Sequence, residues 1–557
     1  MVETNKQIRE CEVLVVGGGI AGLMAAIAAA DNGAKVILAD KADSRRSGSG
    51  ATGNDHFVCY IPEVHGAPEG FLAEYQQSMV GGNADVSIQM KFIKRTFECV
   101  KDWHKWGIDM RPHDEWEFNG HAFPGRMRIF LKYNGENQKG VLTEQALKRG
   151  VIIENKTPIT EFLTNENGKI IGAIGVDISK LEPEIKLFKA DSVISATGQA
   201  VRLYPSITGG MMCNTAFSPA NAGTGRAAAY RVGAKLVNLE IPNTHAGPKY
   251  FERAGKATWI GVLKDSSGKP VGPFVTKPTK EYGDITADVW HSVFTEKNQN
   301  GTGPVFMDCS ETAPKDMEYM MWGLKCEGDT SLIDAMEKQG IDLGKSMVEF
   351  TKYKPFLIGR GIQIDENGST NVDGLYAAGD EVGNFRCDIA GAAVMGRIAG
   401  EHASARSKGQ IVSYDIENHP TVKKAQEFYT KLMTREEGSP WKELNMAVQQ
   451  IMDDYAGVTF VRSETLLSSG LEYLRQLESN AKNSMTCKDS HELMRALESF
   501  DLLLVGKLVM KTAMERKETR GMHKRSDYTF TNPLLNGMFI TIQNENGSSK
   551  LEWRKSY

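Results

Sequence analysis

The sequence predicts an α/β fold in which one parallel sheet is assembled from segments that lie far apart in the chain. Residues 12–30 read as an apolar strand, a glycine turn and a helix of small residues, and the strand KVILAD follows at 35–40. Two later strands, KADSVISATGQA at 189–200 and NVDGLYAAGDEVG at 371–383, each run into small residues and glycine. This order of elements is typical of a doubly wound, Rossmann-like domain.

Size and composition place the chain among ordinary globular proteins. Its 557 residues give room for several domains, and its hydrophobic fraction of 41% and charged fraction of 24% are average. The net charge of −4 gives no reason to expect nucleic acid or an anionic membrane as a partner. The uncharged run 13–30 contains three consecutive glycines, which favour a strand–turn–helix over a membrane span. The polar first ten residues do not resemble a signal peptide, so we expect a cytoplasmic protein.

The glycine turn GGGIAG at 17–22 has the spacing of a dinucleotide-binding site. Gly17 allows the sharp turn, Gly19 lets the backbone approach a pyrophosphate, and Gly22 lets the helix pack against the strand. The N-terminus of that helix directs its dipole at the anion. Asp40 ends the next strand, where a carboxylate can accept hydrogen bonds from both hydroxyls of an adenosine ribose. We therefore predict a bound dinucleotide.

The segments that follow favour FAD over NAD. An NAD domain continues into another helix–strand unit, whereas this chain enters the loop SRRSGSGATG at 44–53. The later strands end in Ala-Thr-Gly and Ala-Gly-Asp, which is how FAD proteins return to their cofactor. Asp380 would then face the ribityl chain.

Short segments spread along nearly the whole chain match one known group of flavoproteins. They are residues 17–22, 40–41, 46–47 and 196–198, NAGTG at 221–225, GTGPVFMD at 301–308, GLYAAGD at 374–380 and ERKETRGMHKRSDY at 515–528. In these segments the chain resembles the flavoprotein subunits of succinate dehydrogenase, fumarate reductase and adenylylsulfate reductase. The resemblance implies a two-part FAD-binding Rossmann-like domain, an inserted α+β capping domain and a C-terminal helical domain. It also implies an FAD-dependent oxidoreductase that moves two electrons at flavin N5.

The motifs and the resemblance together predict the cofactor contacts. In the resembled family the loop after Arg46-Ser47 runs along the flavin, and small residues let its backbone N–H groups reach the ring. Membrane-bound succinate dehydrogenases have a flavin-linking histidine where this chain has Gly48, so we predict noncovalent FAD. The predicted FAD-binding residues are Gly17, Gly19, Ile20, Ala21, Gly22, Asp40, Lys41, Ser47, Gly48, Ser49, Gly50, Ala51, Thr52, Ala196, Thr197, Gly198, Asn221, Thr224, Gly379, Asp380, Ala392 and Ala393.

The resemblance implies two catalytic residues over the flavin, His245 and Arg386. His245 falls at the histidine of the family's H-P-T-G motif, and Arg386 falls at its substrate-binding arginine. A core histidine and a salt-bridging arginine are the alternative interpretations. Ala287 stands where fumarate reductases carry a proton-donating arginine, and Phe356 stands near the position of a second substrate histidine. These two departures disfavour reduction of a C4 dicarboxylate.

Residues 125–136, 185–205 and 354–359 resemble the α subunits of adenylylsulfate reductases most. Ala220 departs from that branch, which has a tryptophan there that helps to carry electrons to its partner. We therefore predict an adenylylsulfate reductase-like enzyme acting on a small anionic substrate. The alternatives are a flavoenzyme of the fumarate reductase, succinate dehydrogenase or aspartate oxidase type, and an electron-transfer flavoprotein without its own small-molecule substrate.

The spacing of the cysteines indicates whether the chain could bind an iron–sulfur cluster or a zinc ion itself. The eight cysteines form no C-x-x-C or comparable cluster, so we predict no metal site in this chain. The resemblance then implies a separate, ferredoxin-like iron–sulfur subunit. We predict the two parts of the FAD domain at 1–243 and 353–410, the capping domain at 244–352 and the helical domain at 411–557.

Overall fold

The computed structural model of the protein describes residues 7–78, 81–118, 125–207, 212–249, 259–271, 277–280, 292–386, 388–410, 413–458 and 461–556. The strands are β1 (Gln7–Val16), β2 (Val36–Ala39), β3 (His56–Val58), β4 (Phe130–Lys132), β5 (Ile152–Glu154), β6 (Ile159–Thr164), β7 (Ile170–Asp177), β8 (Glu184–Ser195), β9 (Leu236–Val237), β10 (Ala246–Pro248), β11 (Val262–Lys264), β12 (Val305–Asp308), β13 (Val348–Lys352), β14 (Gly361–Ile362), β15 (Leu375–Ala377), β16 (Met538–Glu545) and β17 (Ser548–Lys555).

The helices fill the connections between these strands and most of the last quarter of the chain. They are α1 (Ile20–Asp31), α2 (Pro62–His65), α3 (Pro68–Gln77), α4 (Val86–Trp106), α5 (Gln138–Lys148), α6 (Thr224–Arg231), α7 (Ser292–Gln299), α8 (Pro314–Cys326), α9 (Thr330–Lys338), α10 (Asp388–Ser407), α11 (Pro420–Thr434), α12 (Trp441–Ala456), α13 (Glu464–Ser484) and α14 (Ser490–Glu515). A short 3-10 helix covers Pro533–Leu535.

The largest sheet has the strand order β5-β2-β1-β8-β7-β6, and β15 also pairs with β8. The strands β5, β2, β1, β8 and β15 are parallel, whereas β7 is antiparallel to its neighbours. One edge of the long strand β8 pairs with β7 near its start and with β15 near its end. The predicted parallel sheet of distant segments is thus confirmed. Its carboxyl edge collects the loops after β1, β2, β8 and β15.

The segment inserted between the two halves of this sheet has its own sheet and core. Its antiparallel strands have the order β10-β13-β12-β11. Trp259, Leu263 and Phe350 pack there with apolar side chains of α7, α8 and α9, apart from the main core. We call residues 244–352 the capping unit, and its bounds and its role as a cap stay predictions.

The last residues add a hairpin that the sequence interpretation omitted. The strands β16 and β17 pair with each other, and β16 also pairs with β9 of the first FAD-binding segment. Asn546 and Gly547 form the turn with φ of 52° and 86°, as expected for an Asn-Gly hairpin. The region 411–557 is therefore helical only up to α14 and then returns to the FAD domain.

Two helices of small residues pack closely beneath the carboxyl edge. A Cβ atom added at Gly396 or Gly400 of α10 would overlap the carbonyl oxygens of Ala21 or Ala25 in α1. These contacts run α1 and α10 in the same direction, so the N-terminal ends of both helix dipoles face the carboxyl edge. Within the described ranges, no helix has both the length and the apolar character needed to cross a bilayer.

Candidate active site

A large cavity lies at the carboxyl edge of the parallel strands. Its wall combines the loops after β1, β2, β8 and β15 with the first residues of α1 and α10, two residues of the capping unit, and α14. Ligand crevices of doubly wound sheets lie at this edge, because the loops that follow parallel strands meet there.

The first loop of the cavity fits the pyrophosphate of a dinucleotide. Gly17 has a φ of 103°, and a Cβ atom there would overlap the Ala196 carbonyl. A Cβ atom at Gly22 would overlap the Gly17 carbonyl, which explains the close packing of α1 on the turn. Gly19 is the N-cap of α1, and no side chain of the described residues caps the helix there. A Cβ atom added at Gly19 would have no heavy atom within 4 Å. The backbone N–H groups of this turn can therefore bind phosphate oxygens.

Asp40 is held rigidly beside that loop. Its Oδ2 atom accepts hydrogen bonds from the Gly18 N–H at 2.6 Å and the Ser47 hydroxyl at 3.0 Å. The buried Lys139, which sequence reasoning missed, donates from Nζ to the Gly18 carbonyl. Burial lowers the pKa of Lys139 to about 7, against the opposing effect of Asp40 and Asp43.

The wall beyond Asp40 includes part of the C-terminal helix α14. Lys41 Nζ donates to the Ala220 carbonyl and lies 2.7 Å from Glu498 Oε1 of α14. Met494 and Leu497 of the same helix line the cavity, as do Pro158, Ile159 and Val176. Helix α14 thus closes the wall at this end with apolar surface, a contribution that no sequence motif indicated.

The glycine-rich loop 46–52 forms the next part of the wall. Residues 46–50 line the cavity. Ser49 Oγ accepts from Asn221 Nδ2 at 3.0 Å, and the Gly50 carbonyl accepts from Gln138 Nε2 at 2.8 Å. Thr52 turns away and donates from Oγ1 to the Glu327 carbonyl of the capping unit at 3.0 Å. The loop therefore joins the nucleotide region to the capping unit.

His245 stands at the other end of the cavity, among aromatic rings. It lines the cavity, and its ring stacks on Phe356 with centroids 5.4 Å apart and an interplanar angle of 28°. Phe217 also lines the cavity, and its ring centroid lies 5.5 Å from that of His245. Phe356, which replaces the expected second histidine, thus supports the ring of the first.

Arg386 does not line the cavity itself but contacts a residue that does. Its Nε atom lies 3.2 Å from Asp388 Oδ1, and its side chain packs on Gly359. Asp388 is the first residue of α10, lines the cavity and has a φ of 38°. Burial alone would raise the pKa of Asp388, but Arg386, His245 and His56 lower it below its ordinary value. Asp388 therefore brings negative charge to this end of the cavity.

A second histidine, His56, faces the same region from within a charged cluster. His56 Nδ1 lies 2.6 Å from Asp55 Oδ1 and 3.8 Å from Glu327 Oε1. Lys132 Nζ lies 2.8 Å from Asp55 Oδ2, and both of these side chains are fully buried. His56 and Glu327 line the cavity. Sequence reasoning missed this cluster, although the Asn-Asp-His that directly follows the glycine loop was a signal that could have revealed it.

Two further carboxylates support the middle of the cavity. Asp380 accepts from Gln199 Nε2 at 2.9 Å, and burial together with Asp388 raises the pKa of Asp380 to about 6. Glu381 accepts from the Thr197 N–H at 2.9 Å and its hydroxyl at 2.7 Å, and burial raises the pKa of Glu381. The glutamate thereby fixes the loop after β8 against the loop after β15.

The structure brings most of the predicted residues together around this cavity. Those on its wall are Gly17, Gly19, Ile20, Ala21, Asp40, Lys41, Ser47, Gly48, Ser49, Gly50, Ala196, Thr197, Gly198, Asn221, Thr224, His245, Gly379, Asp380 and Ala392. Gly22, Ala51, Thr52, Ala393 and Arg386 are not among the lining residues. Ala287 lies outside the described residues. The individual roles of these residues stay predictions.

This fold and cavity define a class: flavoproteins that hold FAD along the carboxyl edge of a Rossmann-like sheet and cover it with an inserted domain. Residues 12–387 match the family described as FAD binding domain. Residues 445–555 match the family described as fumarate reductase flavoprotein C-term. Because the first match covers more than half of the chain, the chain belongs to the FAD binding domain family. It is an FAD-dependent oxidoreductase flavoprotein, similar to the flavoproteins of succinate dehydrogenase, fumarate reductase and adenylylsulfate reductase.

Individual relatives show the same relationship. The chain is 25% identical over 564 residues to a fumarate reductase (CoM/CoB) subunit of Methanothermobacter marburgensis, covering 95% of this chain and 96% of the relative. It is 24% identical over 628 residues to the alpha subunit of the adenylylsulfate reductase of Megalodesulfovibrio gigas, covering 93% and 90%. The adenylylsulfate reductase structure from Archaeoglobus fulgidus superimposes with a TM-score of 0.85 at 22% identity, covering 100% and 96%, which shows the shared fold. The predicted family, fold and cofactor are thus confirmed.

Proposed function

We propose that the protein is the catalytic flavoprotein subunit of an adenylylsulfate reductase-like enzyme that oxidises or reduces a small anionic substrate. The observation that carries this proposal is the composition of the cavity end where His56, His245 and Asp388 meet. Protonatable side chains gather there beside the glycine-rich loop, whereas the opposite end is suited to a nucleotide. Redox chemistry of an organic or sulfur oxyanion needs such groups, because electron transfer is accompanied by proton transfer.

The residues of the cavity can hold FAD without a covalent bond. The N–H groups at 17–22 would bind the pyrophosphate, Asp40 the adenosine ribose and Asp380 the ribityl chain. Gly48, with a φ of 83°, has no side chain that could bond to the flavin and packs against Gly19. When bound, FAD supplies two-electron redox chemistry. The chain's own residues then position the substrate, exclude water and exchange protons.

The aromatic wall favours a substrate with a flat portion. Phe217 and His245 present ring surface to the cavity, and Phe356 supports His245 from behind. Arg386 lies close by, in contact with Asp388. A compact C4 dicarboxylate would leave the ring surfaces uncovered, whereas an adenylyl group could stack against them. This arrangement supports an adenylylsulfate-like substrate over fumarate.

Electrons must also leave or enter the protein. Six of the seven described cysteines are buried, and they form no cluster with one another or with histidine and carboxylate groups in that part of the chain. Two relatives are each named as one subunit of a larger enzyme. We therefore include in the proposal an electron partner, which would be a separate, ferredoxin-like iron–sulfur subunit.

Anaerobic visible spectroscopy of the FAD-loaded protein tests the proposal. AMP plus sulfite should bleach the oxidised flavin band, whereas AMP alone should leave it unchanged. Sulfite alone is the essential control, because sulfite can add directly to a flavin. Bleaching that needs both compounds supports adenylylsulfate chemistry. A protein that dithionite reduces normally but that shows no AMP-dependent bleaching would contradict it.

A fumarate reductase activity is the second candidate, and the likeness to the Methanothermobacter protein favours it. The dithionite-reduced protein, freed of excess reductant, would then be reoxidised by fumarate. Reoxidation by fumarate without any response to AMP and sulfite would select this alternative.

A further inference from the structure

The cluster of Asp55, His56, Glu327 and Lys132 is more elaborate than the binding of FAD requires. Strands β3 and β4 place His56 opposite Lys132, and Asp55 directly precedes β3. Glu327 arrives from the capping unit, directly after α8. The ligand-type atoms of Asp55, His56 and Glu327 all lie within 4.8 Å of one another. The cluster around the His56 imidazole is therefore formed jointly by the β3–β4 region and the capping unit.

A hydrogen bond to Asp55 fixes one ring nitrogen of His56, a residue that lines the cavity. Because Nδ1 of His56 faces Asp55 at 2.6 Å, its other nitrogen, Nε2, is the one suited to exchange a proton with a molecule in the cavity. Asp55 is in turn fixed by Lys132 at 2.8 Å. The ring of Phe130 meets that of His56 edge to face, with centroids 5.5 Å apart. This is the geometry of a histidine whose tautomer and direction are set by a carboxylate.

Glu327 completes the cluster as a buried carboxyl group. Burial, with Asp55 and Asp329 nearby, raises the pKa of Glu327 well above its ordinary value. Glu327 Oε2 is buried and makes no hydrogen bond with the described residues. A buried carboxyl group with a raised pKa that lies 3.8 Å from an imidazole nitrogen is suited to hold and release one proton.

We propose that His56 is the residue that exchanges a proton with the substrate, with Glu327 as its proton store and Asp55–Lys132 as its orienting pair. This inference rests on the proposed function, since it assigns the proton transfer that accompanies the two-electron step. In the reducing direction the Nε2–H bond of His56 breaks and a bond from the substrate to that hydrogen forms. This starts from doubly protonated His56 and leaves a neutral ring whose Nδ1 keeps its proton toward Asp55. Nε2 then regains the proton that Glu327 gives up, carried by a solvent molecule, and solvent later reprotonates Glu327. The electron pair comes from the reduced cofactor.

The charges around the cluster favour a proton over a metal ion. Lys132 Nζ occupies one Asp55 oxygen at 2.8 Å, so a divalent cation there would meet a buried ammonium group. A further carboxylate, Asp388, interacts electrostatically with His56, which helps to lower the pKa of Asp388. Among the described residues, Asp55, Glu327, Asp388 and Lys132 are charged groups that lie around His56.

The first test needs no substrate. The midpoint potential of the bound FAD is measured against pH for the natural protein, His56→Gln, Glu327→Gln and, as a matched control, the exposed His104→Gln. A proton exchanged at His56 should produce a break in the slope of potential against pH that His104→Gln retains and the other two variants lose. Coinciding curves for the natural protein, His56→Gln and Glu327→Gln would overturn the proposal. Glu327→Gln is nearly isosteric and keeps the test decisive if His56→Gln fails to bind FAD.

Two further measurements test the role of Glu327 and the possibility of a bound metal ion. In ¹⁵N-histidine NMR spectra, the His56 signal should shift its titration in Glu327→Gln, and an unchanged titration would overturn the role of Glu327. One equivalent of metal that co-purifies and is lost in His56→Gln would also overturn the proposal.

Once an anion that reacts with the protein is known, His56→Gln should slow turnover by about 10²-fold or more at unchanged FAD content. If no tested anion reacts, the proposed function fails. The potentials and the NMR spectra then still show whether Glu327 acts as the proton store of His56.

Discussion

The two ends of the cavity are built in different ways. The nucleotide end is made mainly of backbone, with Gly17 and Gly19 in one short turn, Gly22 in the helix that packs on this turn, and Asp40 directly after the next strand. The reaction end is made of side chains from β3, the capping unit and the start of α10, and it holds His56, His245, Asp388 and Glu327. Backbone sites depend on small residues at fixed spacing, whereas side-chain sites depend on how distant segments pack. Substitutions should therefore affect cofactor binding at the first end and proton chemistry at the second.

The largest effect is expected at the glycine turn. In Gly22→Val the added side chain would overlap the Gly17 carbonyl, where even a Cβ atom has no room. We expect loss of bound FAD, and of folded protein in the extreme, measured by the flavin absorbance of the purified protein. Gly140→Ala in α5 is the control, because nothing lies within 4 Å of the new Cβ atom. It should bind FAD normally and unfold at an equal or higher denaturant concentration. Normal FAD content in Gly22→Val would contradict this account of the turn.

The next effect concerns the buried Asp55–Lys132 pair. Lys132→Met removes the ammonium partner of the buried Asp55 carboxylate, which keeps its contact with His56, and we expect a loss of about 3–5 kcal/mol in the free energy of unfolding. Denaturant titration measures this loss. The double variant Lys132→Met with Asp55→Leu should recover much of the stability, because no uncompensated charge remains. Equal stability of the single variant and the natural protein would show that the pair does not act as a unit.

A smaller and more selective effect is expected at His245. His245→Gln removes the ring that stacks on Phe356 at 5.4 Å and lines the reaction end. FAD content should stay unchanged, while the concentration of AMP and sulfite needed for half-maximal bleaching rises by about tenfold, the loss of one interaction of about 1.4 kcal/mol. Loss of FAD in this variant would instead place His245 with the nucleotide end.

The last effect is a pH dependence of stability that comes from Asp380 in the middle of the cavity. Because the folded protein raises the pKa of Asp380 to about 6 from an ordinary 3.8, the folded state binds more protons between these values. The stability of the FAD-free protein should therefore fall as pH rises from about 4 to 6, by at most about 1.4 kcal/mol per pH unit from this group. Asp380→Asn should remove this component of the slope, as seen in unfolding titrations at several pH values. The exposed Glu366→Gln is the control and should keep it.

The contrast between the two ends also explains what the sequence could predict. The turn at 17–22, Asp40 and the strands returning at 195 and 377 are contiguous motifs, so the fold and the nucleotide end could be derived from local patterns. His56 and Glu327 meet only because the capping unit packs on the glycine loop, as the bond from Thr52 to the Glu327 carbonyl shows. No local pattern encodes that meeting. Arg386 was recognisable by position, but its contact with Asp388 depends on the backbone turn at the start of α10.

The contribution of α14 to the cavity wall bears on when the cofactor can bind during protein synthesis. The ribosome makes the glycine turn at 17–22 more than 470 residues before Met494 and Leu497 of α14, which complete the cavity wall. A chain that has not yet folded α14 into place lacks this part of the cavity wall. We therefore expect the cofactor to bind only after α14 has been synthesised and has packed against the FAD domain.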